Sequence, residues 1–283
     1  MTNPLVADRV GRRYRRGRPW ALREVSFDVL EGTVTALVGA NGAGKSTLIR
    51  SCLGFERPDA GRVLVFGIDP RRDRTAAVRR LGYVPQGSAL YRGLSIADHI
   101  AMAKAGRRSF ETTYAIDHVT RLGLDPRRRV GELSGGEQAQ VTLALALATR
   151  APLLLLDEPL ASLDPLARRD FLTALLADVR GRGATVVLSS HIVTDVEQAC
   201  DRLAVLADGR LVLSDAVDAA RERYRTVPTD ELDGHPAIGR FSGPDGAPMA
   251  LVAMPSLGRP ATLEEIVLGH LAAARASDGR IAA

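Results

Sequence analysis

Gly39-Ala40-Asn41-Gly42-Ala43-Gly44-Lys45-Ser46 is the stretch that leaves this chain the fewest ways to fold. It fits the pattern GxxxxGK[ST], and it stands between an apolar run, Thr33 to Val38, and a helical pattern that begins near Gly44 and continues through Leu53. A strand, a glycine-rich turn and a helix in that order form a cradle for phosphate. Backbone amides close around the oxygens and the helix N-terminus adds partial positive charge. Lys45 is expected to reach the outer phosphates, and the Ser46 hydroxyl to ligate magnesium.

The rest of the chain reads as strands alternating with helices. Leu22 to Leu30 carries the period-two pattern of a half-buried strand, and buried strands are expected at Arg62 to Val65, Leu81 to Val84, Leu153 to Leu156 and Thr185 to Leu188. Leu166 to Val179 is helical in pattern between the last two, which argues for an α/β fold with a mainly parallel sheet. Ile96 to Ala148 shows mostly helical pattern and no strand, so it reads as a helical subdomain inserted into the sheet domain. A hairpin is expected over Leu203 to Leu213, turning at Asp208-Gly209. Residues 1–217 form the expected domain around this phosphate cradle and 218–283 a proline-punctuated accessory region. That region closes on a short helix over Thr262 to Ala274, started by a Thr262/Glu265 capping box.

Leu153 to Leu156 ends in Asp157 and Glu158. Two carboxylates at the end of a buried strand are costly unless a cation or a donor waits there, and the phosphate loop supplies that partner. Asp157 is therefore assigned to magnesium, and Glu158 to polarising the attacking water as general base.

Between these motifs lies Leu133-Ser134-Gly135-Gly136-Glu137, and with it the sequence resembles the ABC ATPases, whose LSGGQ-type signature occupies this place. Other motifs follow in the family's order. Tyr14 fits the aromatic that stacks on adenine, and Gln86 in Tyr83-Val84-Pro85-Gln86 fits the Q-loop. Ser162-Leu163-Asp164 fits the D-loop, and His191 after an apolar strand fits the switch histidine. The resemblance implies a P-loop NTPase of ABC type with an added antiparallel β subdomain, using ATP and Mg2+. It implies catalytic roles for Glu158, His191 and Gln86, and a metal site at Ser46, Gln86 and Asp157. The ATP-contacting residues are then Tyr14, Gly39, Ala40, Asn41, Gly42, Ala43, Gly44, Lys45, Ser46, Thr47, Ser134, Gly135, Gly136, Glu137 and Asp164. Two subunits would sandwich each ATP between the phosphate loop of one and the signature of the other. Ser134 to Gly136 precedes a helical run and so presents free amides, an anion site whose ligand should come from a partner.

Two departures stand out. Glu137 holds the place where the family usually has Gln, although Ser134 and Glu137 also fit an S-x-x-E capping box, which accepts either residue. Tyr14 is separated from Ala21-Leu22 by a long arginine-rich stretch, and Trp20 is a competing adenine-stacking residue.

Composition narrows the partners. The longest apolar runs, Leu143 to Ala148 and Ala151 to Leu156, fall well short of the roughly 20 residues a spanning helix needs. Met1 to Val10 lacks a charged start followed by an apolar stretch, so no export signal is expected. Net charge is +5, but the arginine clusters Arg12 to Arg18, Arg71 to Arg74 and Arg127 to Arg129 lack interleaved aromatics for stacking bases. No nucleic-acid partner is expected. The expected partners are a separate integral membrane permease and a second ATP-binding subunit, at the cytoplasmic face of the membrane. The tail around Thr262 to Leu268 is similar to those of drug- and polyketide-exporter ATPase subunits, which favours export over import. The alternative is a soluble ABC ATPase acting on a ribosome or nucleic-acid complex.

Overall fold

The computed structural model describes residues 3–15, 19–87 and 89–281, so Met1, Thr2 and the Arg16 and Arg18 of the first arginine cluster lie outside the described residues. Chain order begins β1 (Leu5–Arg12), β2 (Leu22–Val29), β3 (Val34–Val38), α1 (Lys45–Cys52), β4 (Ala60–Val65), α2 (Arg74–Val78) and β5 (Leu81–Val84). It continues with α3 (Ile96–Gly106), α4 (Thr112–Arg121), α5 (Gly135–Ala148), β6 (Leu153–Leu156), α6 (Pro165–Arg182), β7 (Thr185–Ser190) and α7 (Val193–Val196). The hairpin β8 (Arg202–Ala207) and β9 (Arg210–Ala216) follows, then α8 (Val217–Arg223). Last come β10 (Arg225–Pro228), β11 (Gly239–Ser242), β12 (Pro248–Val252), β13 (Arg259–Pro260) and α9 (Leu263–Ile281).

Among the described residues the central sheet runs β5-β6-β7-β3-β8-β9, parallel except where β9 turns back along β8. Every residue of β3, β6 and β7 is buried, because α5, α6 and α9 cover one face of the sheet while α1 and the strands β1, β2 and β4 cover the other, leaving no solvent side to alternate toward. Register then fixes function. Val38 lies beside Ser190, and Leu156 beside Leu188, so the residues that follow β3, β6 and β7 emerge together at the carboxyl edge. That edge is where open α/β sheets take their ligands.

A second, antiparallel sheet, β2-β1-β4, flanks the first. Its strand β1 escaped the sequence reading for a physical reason. A bulge between Ala7 and Val10, with Arg9 at φ 47°, breaks the alternation that would have marked it.

The segment from α3 to α5 packs Ile96, Ile100, Phe110, Val119, Leu124 and Val130 into a cluster of their own. Helix α5 closes that cluster with Val141 and Ala144 while giving Leu143 and Leu147 to the core of the central sheet. Buried on two sides, it ties the helical insertion to the sheet.

The proline-punctuated region after residue 217 holds a four-stranded antiparallel sheet, β11-β12-β10-β13, that was not expected, and α9 runs on to Ile281, past the end expected at Ala274. Strands of two to five residues interrupted by prolines carry too little alternation to be recognised. The region packs onto the central sheet, since Tyr224, Leu251, Ala261, Leu263, Ile266 and Val267 belong to the same apolar cluster as Val34 and Leu203. The approach is close. A β-carbon on Gly239 would sit 1.9 Å from the Gly269 carbonyl oxygen of α9, which only glycine avoids. The capping box forms: Thr262 N–H donates to Glu265 Oε2 at 2.9 Å, and Arg259 donates to both oxygens of the same carboxylate. Burial would raise the Glu265 carboxyl, but Arg259 and the Thr262 amide outweigh it and hold it below its usual range.

Candidate functional site

Gly39 to Ser46 lies at the carboxyl edge, where β3 turns into α1. Its glycines divide by cause. A β-carbon on Gly39 would meet the Leu206 carbonyl oxygen at 2.2 Å, and Gly44, at φ +106°, would meet Ala21 O at 2.3 Å. Both are demanded by the protein's own backbone. Gly42, at φ +83°, faces open space and is the one that a nucleotide could approach.

Lys45 is buried and its ammonium folds back over the loop. Nζ donates to Gly39 O at 2.7 Å and Ala40 O at 3.1 Å, and lies 2.9 Å from Glu158 Oε1. The other Glu158 oxygen, Oε2, is 2.7 Å from His191 Nδ1. Burial works to raise the Glu158 carboxyl, but hydrogen bonds and charge from Lys45 and His191 prevail and lower it. The carboxylate is thus ionised and held between two cationic or hydrogen-bonding partners. Its backbone is unusual as well, with φ 48° at a residue that carries a β-carbon, a conformation costing on the order of 1–2 kcal/mol. The sharp turn is what points Asp157 and Glu158 in different directions from adjacent positions.

Asp157 is fully buried. Its Oδ1 accepts from Ser46 Oγ at 2.8 Å and from Ser189 Oγ at 3.1 Å, whereas Oδ2 is buried without a hydrogen-bond partner. An orphaned carboxylate oxygen beside a serine hydroxyl suits a hard divalent cation. Among the described residues no cluster of three or more His, Cys, Asp or Glu side chains could hold a metal by itself. The arrangement fits Mg2+, which takes one or two protein oxygens and completes its shell from phosphates and water.

Ser189 is the residue that sequence reading missed. Fully buried on β7, its Oγ accepts the Glu158 N–H at 2.8 Å while donating to Asp157, so one hydroxyl sets both carboxylates. The available signal was a Ser189-Ser190 pair ending an apolar strand just ahead of His191. Ser189→Ala strands the buried Glu158 amide and should cost about 1–3 kcal/mol; a urea midpoint unchanged from that of the parent would contradict this.

Tyr14 reaches the loop, its hydroxyl 3.0 Å from Thr47 Oγ1, with its ring half exposed and Arg12 lying 5.1 Å from the centroid. Trp20 carries the Arg13 guanidinium closer, at 4.2 Å, and is less exposed, which favours Tyr14 as the more open aromatic surface. Gln86 is exposed just beyond β5, and among the described residues no hydrogen bond joins it to Ser46 or Asp157. Of the three residues expected at a metal, the structure brings Ser46 and Asp157 into contact.

Ser134 to Glu137 forms a second group, with no hydrogen bond or ion pair to the first among the described residues. Its capping box is complete: Glu137 N–H donates to Ser134 Oγ at 3.2 Å, and Ser134 N–H to Glu137 Oε2 at 2.6 Å. Asp164 caps α6, accepting from Leu166 N and Ala167 N. Ser134, Gly136, Glu137 and Asp164 line a common cavity of about 240 Å³.

Residues 22–161 match the ABC transporter family. The chain is 34% identical over 236 residues to a Nod factor export ATP-binding protein of Rhizobium sp. strain N33, covering 81% of this chain and 77% of that protein. It is 36% identical over 247 residues to an iron(III) import ATP-binding protein of Rhodococcus jostii, covering 84% of this chain and 69% of that protein. Against the ribose and iron(III) import proteins of Streptomyces avermitilis and Pseudomonas fluorescens it spans only 42% and 58% of their length. A bacterial Atm1-family ABC exporter solved with ATP bound superposes with a TM-score of 0.66 at 32% identity, over 77% of this chain and 40% of that one.

Proposed function

The chain belongs to the ATP-binding proteins of ABC transporters, and from that membership we propose that it hydrolyses ATP to drive a separate membrane permease. The observation that carries this reading is the meeting of Lys45, Ser46, Asp157, Glu158 and His191 at one sheet edge. Gly39 to Thr47 cradles the triphosphate, and Tyr14 stacks on the adenine. Ser46 and Asp157 would hold Mg2+, which when bound would neutralise charge on the phosphate oxygens. The triphosphate draws Lys45 away from Glu158. The freed carboxylate takes a proton from water as the water oxygen attacks the γ-phosphorus. The bond to the bridging oxygen breaks, leaving ADP and phosphate, while His191 holds Glu158 in place and senses the γ-phosphate with Gln86.

Ser134 to Glu137, with Asp164, meets the nucleotide of a second subunit, so closure of the dimer completes two sites. Residues 1–217 carry this machinery, and 218–283 buttress it. Among the described residues no helix is long and apolar enough to cross a membrane, in keeping with a chain that works peripherally beside a spanning partner. Relatives on both sides of the membrane traffic are similar to it, and export is the direction we favour, on the Nod factor protein and the tail resemblance.

Purified with its membrane partner, the chain should release phosphate from ATP only when Mg2+ is present. In inverted vesicles an exporter fills the lumen when ATP is added outside. Emptying of a preloaded lumen would make it an importer, and absence of turnover in the assembled complex would overturn the ATPase reading.

A further inference from the structure

Glu137 places a negative charge in the first turn of α5, beside the amides that the proposed reading assigns to a partner's triphosphate. A bare carboxylate there would repel the nucleotide and oppose dimer closure. The structure supplies a remedy. Arg128 Nη1 donates to Glu137 Oε1 at 3.1 Å, while the other oxygen, Oε2, accepts the Ser134 amide at 2.6 Å. Both oxygens are thereby occupied and the charge is matched. Hydrogen bonds from the Ser134 amide, with help from Ser134 Oγ and Arg128, hold the carboxyl below its usual range against the opposing effect of burial.

Arg128 is itself held in position. Its second terminal nitrogen donates to Glu132 O at 3.0 Å, its backbone N–H donates to Asp125 O at 2.9 Å, and its carbonyl accepts from Ile96 N at the start of α3. The guanidinium is therefore delivered from a fixed backbone, not from a freely moving loop. Glu137 also has little freedom to leave, because its carboxylate is half of the capping box that starts α5.

We propose that Arg128 is a positioning residue of the Ser134–Glu137 half-site: it cancels the Glu137 charge and locks that carboxylate into the cap, so that Gly135 and Gly136 can receive the partner's triphosphate. The proposal rests on the shared-site reading above. It makes the Arg128–Glu137 pair a single unit, in which a neutral residue at 137 needs no arginine at 128.

The test uses the full chain carrying Glu158→Gln, a background in which the ATP-bound dimer should accumulate, and reads by light scattering the ATP concentration that gives half-maximal dimer. Arg128→Gln should raise that concentration about tenfold, the size expected for an uncompensated charge near a phosphate. Adding Glu137→Gln should restore it to within about twofold of the parent, because the repelling charge has gone. Arg128→Lys, which keeps the charge, should stay close to the parent, and melting temperatures without nucleotide check that each variant is folded. Unchanged dimerisation of Arg128→Gln would overturn the proposal, as would a double variant no better than Arg128→Gln, which would make Arg128 merely structural. If the Glu158→Gln parent binds ATP and never dimerises, the shared-site reading itself falls and this inference with it.

Discussion

Glu158→Gln should lower steady-state phosphate release by about a thousandfold, within the range a positioned general base contributes, while ATP binding persists and tightens. Two consequences of one geometry meet in this variant. The carboxylate is the group placed to accept a proton from water, and an amide cannot accept it. The same carboxylate is also the anion that holds Lys45 in the nucleotide-free protein, 2.9 Å from its ammonium with both side chains buried. An amide holds that ammonium far less strongly, so the phosphates no longer compete with Glu158 for it. The variant should therefore bind ATP more tightly than the parent and remain a dimer during gel filtration with ATP and Mg2+. Normal turnover would remove Glu158 as the base. Weakened ATP binding would show that the Lys45 contact is not a competitor of the nucleotide.

Ser134→Arg should reduce turnover of the assembled complex about a hundredfold, comparable to the loss of a positioned anion-binding donor in other sites, and leave ATP binding to the isolated chain intact. The substitution removes the hydroxyl that caps α5 and fills the surface next to Gly135 and Gly136 with a long side chain. None of the residues bonded to Lys45, Ser46, Asp157 or Glu158 is altered, so the chain's own phosphate loop should be unaffected. Mixing this variant with Lys45→Ala gives a sharper measurement. In a mixed dimer, the intact loop of one chain meets the intact signature of the other, and turnover should rise well above that of either variant alone. If the mixture stays as inactive as its components, the two half-sites do not face each other across subunits.

Much of the candidate site could be read along the chain because its motifs are local. Gly39 to Ser46 needs only a strand before it and a helix after it. Ser134 to Glu137 is a helix start whose capping residues lie three apart, and both bonds of that box form. Leu153 to Glu158 announces itself as an apolar strand ending in charge. Where periodicity was broken, reading failed: β1 was hidden by its bulge, and the C-terminal sheet by its short, proline-bearing strands.

Sequence alone thus determined the fold class, the phosphate loop and the order of the motifs, since each depends on neighbours within a few residues. What the tertiary structure decided was which side chains share a carboxyl or a charge. Lys45 with Glu158, Glu158 with His191, Ser46 and Ser189 with Asp157, and the C-terminal helix with the central core join residues far apart in the chain. Parallel register sets those meetings, because β3, β6 and β7 end side by side only once they are paired. No local pattern encodes which strand lies next to which. The pairing of Arg128 with Glu137, nine residues apart across a turn, belongs to the same class.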